Sequence, residues 1–227
     1  ILDYWVDLSG PSLNSPGLLS ILKPKLVMPM LLLGGKGSGK THLMRFCSAP
    51  VQAMRFNGSL SAAVENEGYL GVYLRTDGLN TGRFKGKGQT DEVWSAVFSY
   101  SFELWLSLLL IATLRELVTA SGETVDEGAL FSEVAEFFDV SVKGKFNSFS
   151  TFEEFLQNEQ KTIDFAVNNS VLTRRLDGVN ILFSPGRLAF GIPQAASRAI
   201  KALDAALIVY LIDEIENFTE DQQRFLN

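Results

Sequence analysis

Residues 27–41 read VMPMLLLGGKGSGKT, an apolar run that closes on Gly34-x-x-x-x-Gly39-Lys40-Thr41. This is the spacing of a phosphate-binding loop. Glycines at 34, 35, 37 and 39 reach backbone dihedrals closed to other residues, so successive N–H groups can turn inward around a phosphate. Lys36 and Ser38 fill the turn between them. Lys40 would carry a positive charge to the β- and γ-phosphates of a nucleotide and Thr41 a hydroxyl to Mg²⁺, while the helix that follows aims its positive end at the same point. His42 comes directly next, as a wall residue of such a site or a packed residue of the helix. The pattern requires a strand before it, and the apolar run predicts one over residues 26–33.

A metal held against those phosphates needs a second anchor, a carboxylate at the tip of a neighbouring buried strand. Residues 205–214, AALIVYLIDE, supply it. The run is continuously apolar and rich in β-branched and aromatic residues, as a central parallel strand covered on both faces should be. Asp213 is the candidate metal-side carboxylate. Glu214, one residue on, is expected to point to the other side of the strand and to polarise a water for attack on the γ-phosphate. Glu216 reads as a solvated neighbour.

The loop GGKGSGKT together with LIVYLIDEIENFTEDQQ resembles the ASCE branch of P-loop ATPases, within it the AAA+ proteins, and most closely the origin-recognition-type ATPases of bacteria. The resemblance implies an α/β fold: a three-layer P-loop NTPase core with a parallel sheet. It implies Mg²⁺-dependent ATP binding through Gly34, Gly35, Lys36, Gly37, Ser38, Gly39, Lys40, Thr41 and His42, with Thr41 and Asp213 (the Walker B aspartate) on the magnesium. Glu214 would be the catalytic base and Lys40 a catalytic partner on the phosphates. Hydrolysis would drive conformational or assembly changes in a larger machine, antiphage defence being one role known among such proteins. The rival reading is an ATP-loaded switch or scaffold with little hydrolysis of its own; a small-acceptor kinase has no visible acceptor site. ATP itself comes from the resemblance, although no guanine-reading Asn-Lys-x-Asp pattern is present.

Composition narrows the partners. With 227 residues, 46% of them hydrophobic, the chain can bury a sizeable core. A net charge of -6 gives no overall basic field, so nucleic acid is not supported as a partner; ATP and further protein subunits, or self-association, are. The single cysteine, Cys47, cannot form an internal disulfide, which fits a reducing, cytoplasmic setting. The chain opens without an initiator Met, and the natural protein is expected to extend on both sides.

Lys40 and Asp213 lie 173 positions apart (213 - 40), more than a compact nucleotide core requires. Residues 1–227 therefore read as one P-loop NTPase domain, part of a longer protein, with a mainly helical insertion over residues 90–175 that is expected to serve a partner or oligomer interface. Within it, residues 93–114 carry one charge, Glu103. That length could span a bilayer, as segments between the two motifs do in P-loop ATPases of the KAP type, but Glu103 near its middle would cost about 2.5 kcal/mol or more, so a buried helix rather than a membrane segment is expected.

The remaining chain predicts a lead-in with little regular structure over residues 1–26 and a helix over residues 39–48 stopped by Pro50. It also predicts a short helix over 59–66, a strand over 69–75, and a solvated basic loop over 82–89. Further helices are expected over 125–139, from a capping box at Thr151 and Glu154 to about Arg174, and over 193–204, with a short strand over 179–183. Arg174 and Arg175 suit the negative end of their helix. The resemblance also implies that a strand carrying a polar sensor residue separates the two motif strands and comes later in sequence, with an arginine finger and lid after it. Neighbouring motif strands would instead point to the kinase and GTPase branch.

Overall fold

Two parallel strands lie at the centre of the structure, a computed structural model that describes residues 27–223. β1 (Tyr69–Arg75) pairs with β2 (Leu207–Asp213), Tyr69 opposite Leu207 and Arg75 opposite Asp213. Because side chains alternate along a strand, this register sorts the sheet into two faces. Tyr69, Leu207, Val209 and Leu211 pack against Phe46, Cys47 and Val51 of the helices that follow the glycine loop, α1 (Lys40–Phe46) and α2 (Ala49–Arg55). Leu70, Val72 and Leu74, with Ile208, Tyr210 and Ile212, face the larger core built on the long helix α4 (Asp91–Ser121). The fold is mixed α/β with a small parallel sheet, helices covering both faces.

β1 ends the sheet on its outer side by a side-chain substitution for a strand. Gln52, fully buried on α2, donates to the Tyr69 carbonyl at 3.0 Å and accepts from the Gly71 N–H at 3.0 Å. Its amide also donates to Glu67, at the end of α3 (Leu60–Glu67), at 2.8 Å. No further strand can pair at those positions. Among the described residues the sheet therefore has two strands, and its open edge is that of β2.

The expected strand over residues 26–33 does not form. Residues 27–33 run without regular structure, with Val27, Met28, Leu31 and Leu33 exposed. An apolar run becomes a strand only where a sheet edge receives it, and residues 27–33 are not paired with β2, so neither of the two expected strand orders is formed among the described residues. The strand expected over 179–183 is also irregular; its Phe183 instead packs on Tyr100 and Phe138. The lead-in over residues 1–26 and the stretch after residue 223 lie outside the described residues.

Two prolines behave differently from the expectation. Pro50 begins a helix rather than ending one: α1 stops at Phe46, and Pro50 sits in the first turn of α2, where its missing N–H costs nothing. Pro193 lies inside α7 (Arg187–Ala199), which starts six residues earlier than expected. A proline there orphans the carbonyl four residues back, that of Ala189. The Tyr210 hydroxyl of β2 donates to this carbonyl at 2.9 Å, so the helix continues.

α4 is 31 residues long, and by length and composition it is the one described helix that could cross a membrane. Here it is a core helix, because Glu103, fully buried at its middle, accepts from the backbone N–H groups of Gly186 (2.8 Å), Leu188 (2.6 Å) and Ala189 (2.8 Å). The carboxylate thereby satisfies the otherwise unpaired first turn of α7. α5 (Glu127–Ala135) and α6 (Phe149–Thr173) follow α4 in the chain. The capping box of α6 is Ser148 with Thr151, three residues ahead of the expected start. Phe131, Phe138, Phe146, Phe152 and Phe155 form a contiguous aromatic cluster there, with Phe146 and Phe152 centroids 4.4 Å apart, and none of the five faces solvent.

Candidate functional site

The glycine loop is exposed and tightly turned. Gly37 and Gly39 have φ of 83° and 88°, which side chains disfavour, and a Cβ on Gly34 would stand 2.6 Å from the Ser38 Oγ. Lys40 folds back over the loop: its Nζ donates to the carbonyl of Gly34 at 2.5 Å and of Gly35 at 3.2 Å. Thr41 and His42 are half-buried at the start of α1, while Lys36 and Ser38 lie exposed in the turn.

The end of α1 is seated closely on the sheet. A Cβ on Gly71 would lie 1.9 Å from the Cys47 carbonyl oxygen, so the helix end touches the strand backbone where only glycine fits. Arg75 and Asp213 stand opposite one another at the carboxyl ends of β1 and β2.

At that end the acidic pair is held by β1. Asp213 is 3% exposed; its Oδ1 accepts from the Glu214 N–H at 3.0 Å and its Oδ2 from the Tyr73 hydroxyl at 2.9 Å. Burial, reinforced by the Asp213 carboxylate, pushes the Tyr73 phenol up to about 12, with Arg45 and Arg75 acting in the other direction. Thr76 donates to the carbonyls of both acids, at 3.1 Å to Asp213 and 2.6 Å to Glu214.

Glu214 does not follow the strand alternation expected of it. Its backbone is left-handed, φ 61° and ψ 38°, which ends β2 and turns the side chain to Arg75, whose Nη2 lies 2.7 Å from Oε1. Arg75 also pairs with Asp77 at 3.1 Å. Tyr73, Arg75 and Thr76 are site residues that sequence spacing does not single out. The available signal was that YLGVYLRT ends at the same sheet edge as the acidic strand, the edge where open parallel sheets gather their ligand-binding groups.

The basic loop takes no part in this site. Arg83 pairs with Asp164 of α6 at 2.5 Å, Lys87 donates to the carbonyls of Arg83 and Val167 at 2.9 and 3.2 Å, and Gln89 donates to that of Arg174 at 2.7 Å. These contacts bind the end of α6. Arg174 and Arg175 are exposed there.

A family model described as ORC-CDC6-like matches residues 1–227, a span that includes both motifs. The chain belongs to the ORC-CDC6-like family. Comparisons with curated proteins and with solved structures find no match. The family relationship is to the origin-recognition-type AAA+ ATPases, whose members use nucleotide, and the ORC-CDC6-like chain presents the glycine loop and the acidic strand end on which such use depends.

The residues present fit a magnesium nucleotide. Thr41 and Asp213 offer oxygen donors, the class that Mg²⁺ prefers. No group of three or more His, Cys, Asp or Glu side chains among the described residues makes a metal cage. An ion here would complete its shell with water and phosphate oxygens, as magnesium does when it arrives with a nucleotide.

Proposed function

We propose that this ORC-CDC6-like domain binds ATP with Mg²⁺ and hydrolyses it to drive conformational or assembly changes in a larger, self-associating, cytoplasmic machine. The reading rests on one observation. The ORC-CDC6-like chain carries the glycine loop with Lys40 and Thr41 and, at the carboxyl end of β2, a buried Asp213 carboxylate beside Glu214.

In this reading the loop N–H groups and Lys40 bind the phosphates, which requires the Lys40 ammonium to exchange the Gly34 and Gly35 carbonyls for phosphate oxygens. Thr41 and Asp213 would hold magnesium, which supplies charge neutralisation on the β- and γ-phosphates. Glu214 accepts the proton of the attacking water once its carboxylate leaves Arg75. The inserted helices over residues 90–175 serve as the contact region for a partner subunit, and the three-layer core is completed by a strand on the open edge of β2.

The test uses the full-length protein. Lys40→Ala should lose nucleotide binding, measured with a fluorescent ATP analogue, and Glu214→Gln should bind normally and release no phosphate. Full hydrolysis by Glu214→Gln would remove the assigned base. The ion pair between Arg75 and Glu214 favours the second reading, an ATP-loaded switch with slow turnover, because the base is held away from work in this state. Phosphate release by monomer and oligomer separates the two: a switch stays slow in both.

A further inference from the structure

The structure assigns to Tyr73 the role of a positioning residue that fixes the Asp213 carboxylate for the magnesium ion. The assignment rests on the nucleotide-site reading above and extends it to a residue outside both sequence motifs.

Asp213 is nearly buried, and a buried carboxylate needs a donor for each oxygen. One donor is local: the Glu214 N–H on Oδ1 at 3.0 Å comes from the next residue and moves with the turn. The other comes from the neighbouring strand, the Tyr73 hydroxyl on Oδ2 at 2.9 Å. Two donors on the two oxygens set the carboxylate plane, since rotation about its bond to the chain breaks both. The Tyr73 ring is itself fixed by its place in β1, which is paired with β2 along its whole length. Tyr73 thus ties β1 to the end of the strand that carries Asp213.

Groups that orient a metal-side carboxylate in this way typically change metal affinity 10- to 100-fold when removed. Tyr73→Phe keeps the ring and strips the donor from Oδ2. The full-length protein is titrated with a fluorescent ATP analogue, first in EDTA and then at rising Mg²⁺, and Mn²⁺ uptake by the nucleotide complex is followed by its paramagnetic resonance. Tyr73→Phe should leave affinity in EDTA unchanged and raise the Mg²⁺ and Mn²⁺ half-saturation about tenfold. Tyr210→Phe, which removes a hydroxyl from the opposite face of the sheet, should leave both values at the wild-type level.

Equal Mg²⁺ half-saturation in Tyr73→Phe and wild type overturns the role of Tyr73 alone. A wild-type protein that binds no nucleotide overturns the site reading and this role with it. A general loss of folding in Tyr73→Phe is separated by adding Asp213→Asn: if Tyr73 acts through Asp213, the double variant has the metal half-saturation of Asp213→Asn, and a further tenfold loss rejects the role.

Discussion

Arg75 and Glu214 meet across the carboxyl ends of β1 and β2, Nη2 to Oε1 at 2.7 Å, although they are 139 residues apart in the chain. The register that sets Arg75 opposite Asp213 and the left-handed turn at Glu214 together produce the pair. The Arg75 side chain is half exposed, so solvent screens the pair and it restrains Glu214 only weakly. Arg75→Met should therefore raise phosphate release by up to about fivefold while nucleotide affinity stays constant. A stopped assay of inorganic phosphate on the full-length protein measures it, and lower turnover would show that Arg75 assists the chemistry instead of restraining the base.

Gly71 decides whether α1 can lie on the sheet. A Cβ there would overlap the Cys47 carbonyl oxygen, a backbone atom that cannot rotate away. Gly71→Ala should push α1 off β1, costing about 3 kcal/mol, the upper range for overpacking, and should weaken nucleotide binding because the loop moves with the helix. Urea unfolding and nucleotide titration of the same variant check the two effects together.

Much of this fold is legible in sequence where the local chain alone carries the signal. β1 and β2 are, because YLGVYLR and LIVYLID are β-branched and aromatic throughout. The glycine loop and the acidic tip are, because their chemistry needs fixed residues at fixed spacing. Residues 27–33 show the limit: their apolar content reads as a strand, but a strand is a relation between two segments. Pro193 reads as a helix start for the same reason, since nothing near it reveals that Tyr210 serves the orphaned Ala189 carbonyl. The contributions of Tyr73 and Arg75 depend on register across more than a hundred residues, which no local spacing encodes.

Gln52 closes the outer edge of β1 with two hydrogen bonds and holds Glu67 of α3 with a third. In Gln52→Leu the buried Gly71 N–H and Tyr69 carbonyl lose their partners, at about 1–3 kcal/mol each. A loss of roughly 3 kcal/mol by urea unfolding is expected, with faster aggregation than wild type by light scattering as an unpaired strand edge is uncovered. Unchanged stability would mean that water serves this edge equally well.

Glu103 joins the long helix α4 to α7, the helix that leads into β2. Glu103→Leu leaves three buried N–H groups without acceptors and should cost about 3 kcal/mol; Glu103→Gln keeps an acceptor for Leu188 and Ala189 but sets an amide against the Gly186 N–H, at about 1 kcal/mol. Burial pushes the Glu103 carboxyl above its ordinary 4.5, outweighing the three N–H groups that act to lower it. The folded state then holds this proton more tightly than the unfolded one, so the group's contribution is complete below about pH 4.5 and is lost as pH rises through the raised folded value. Stability of the wild type measured by urea from pH 4.5 upward should accordingly fall relative to Glu103→Gln, whose side chain has no proton to lose. A gap between the two that widens in favour of wild type with rising pH would mean that the N–H groups, not burial, control the charge at α7.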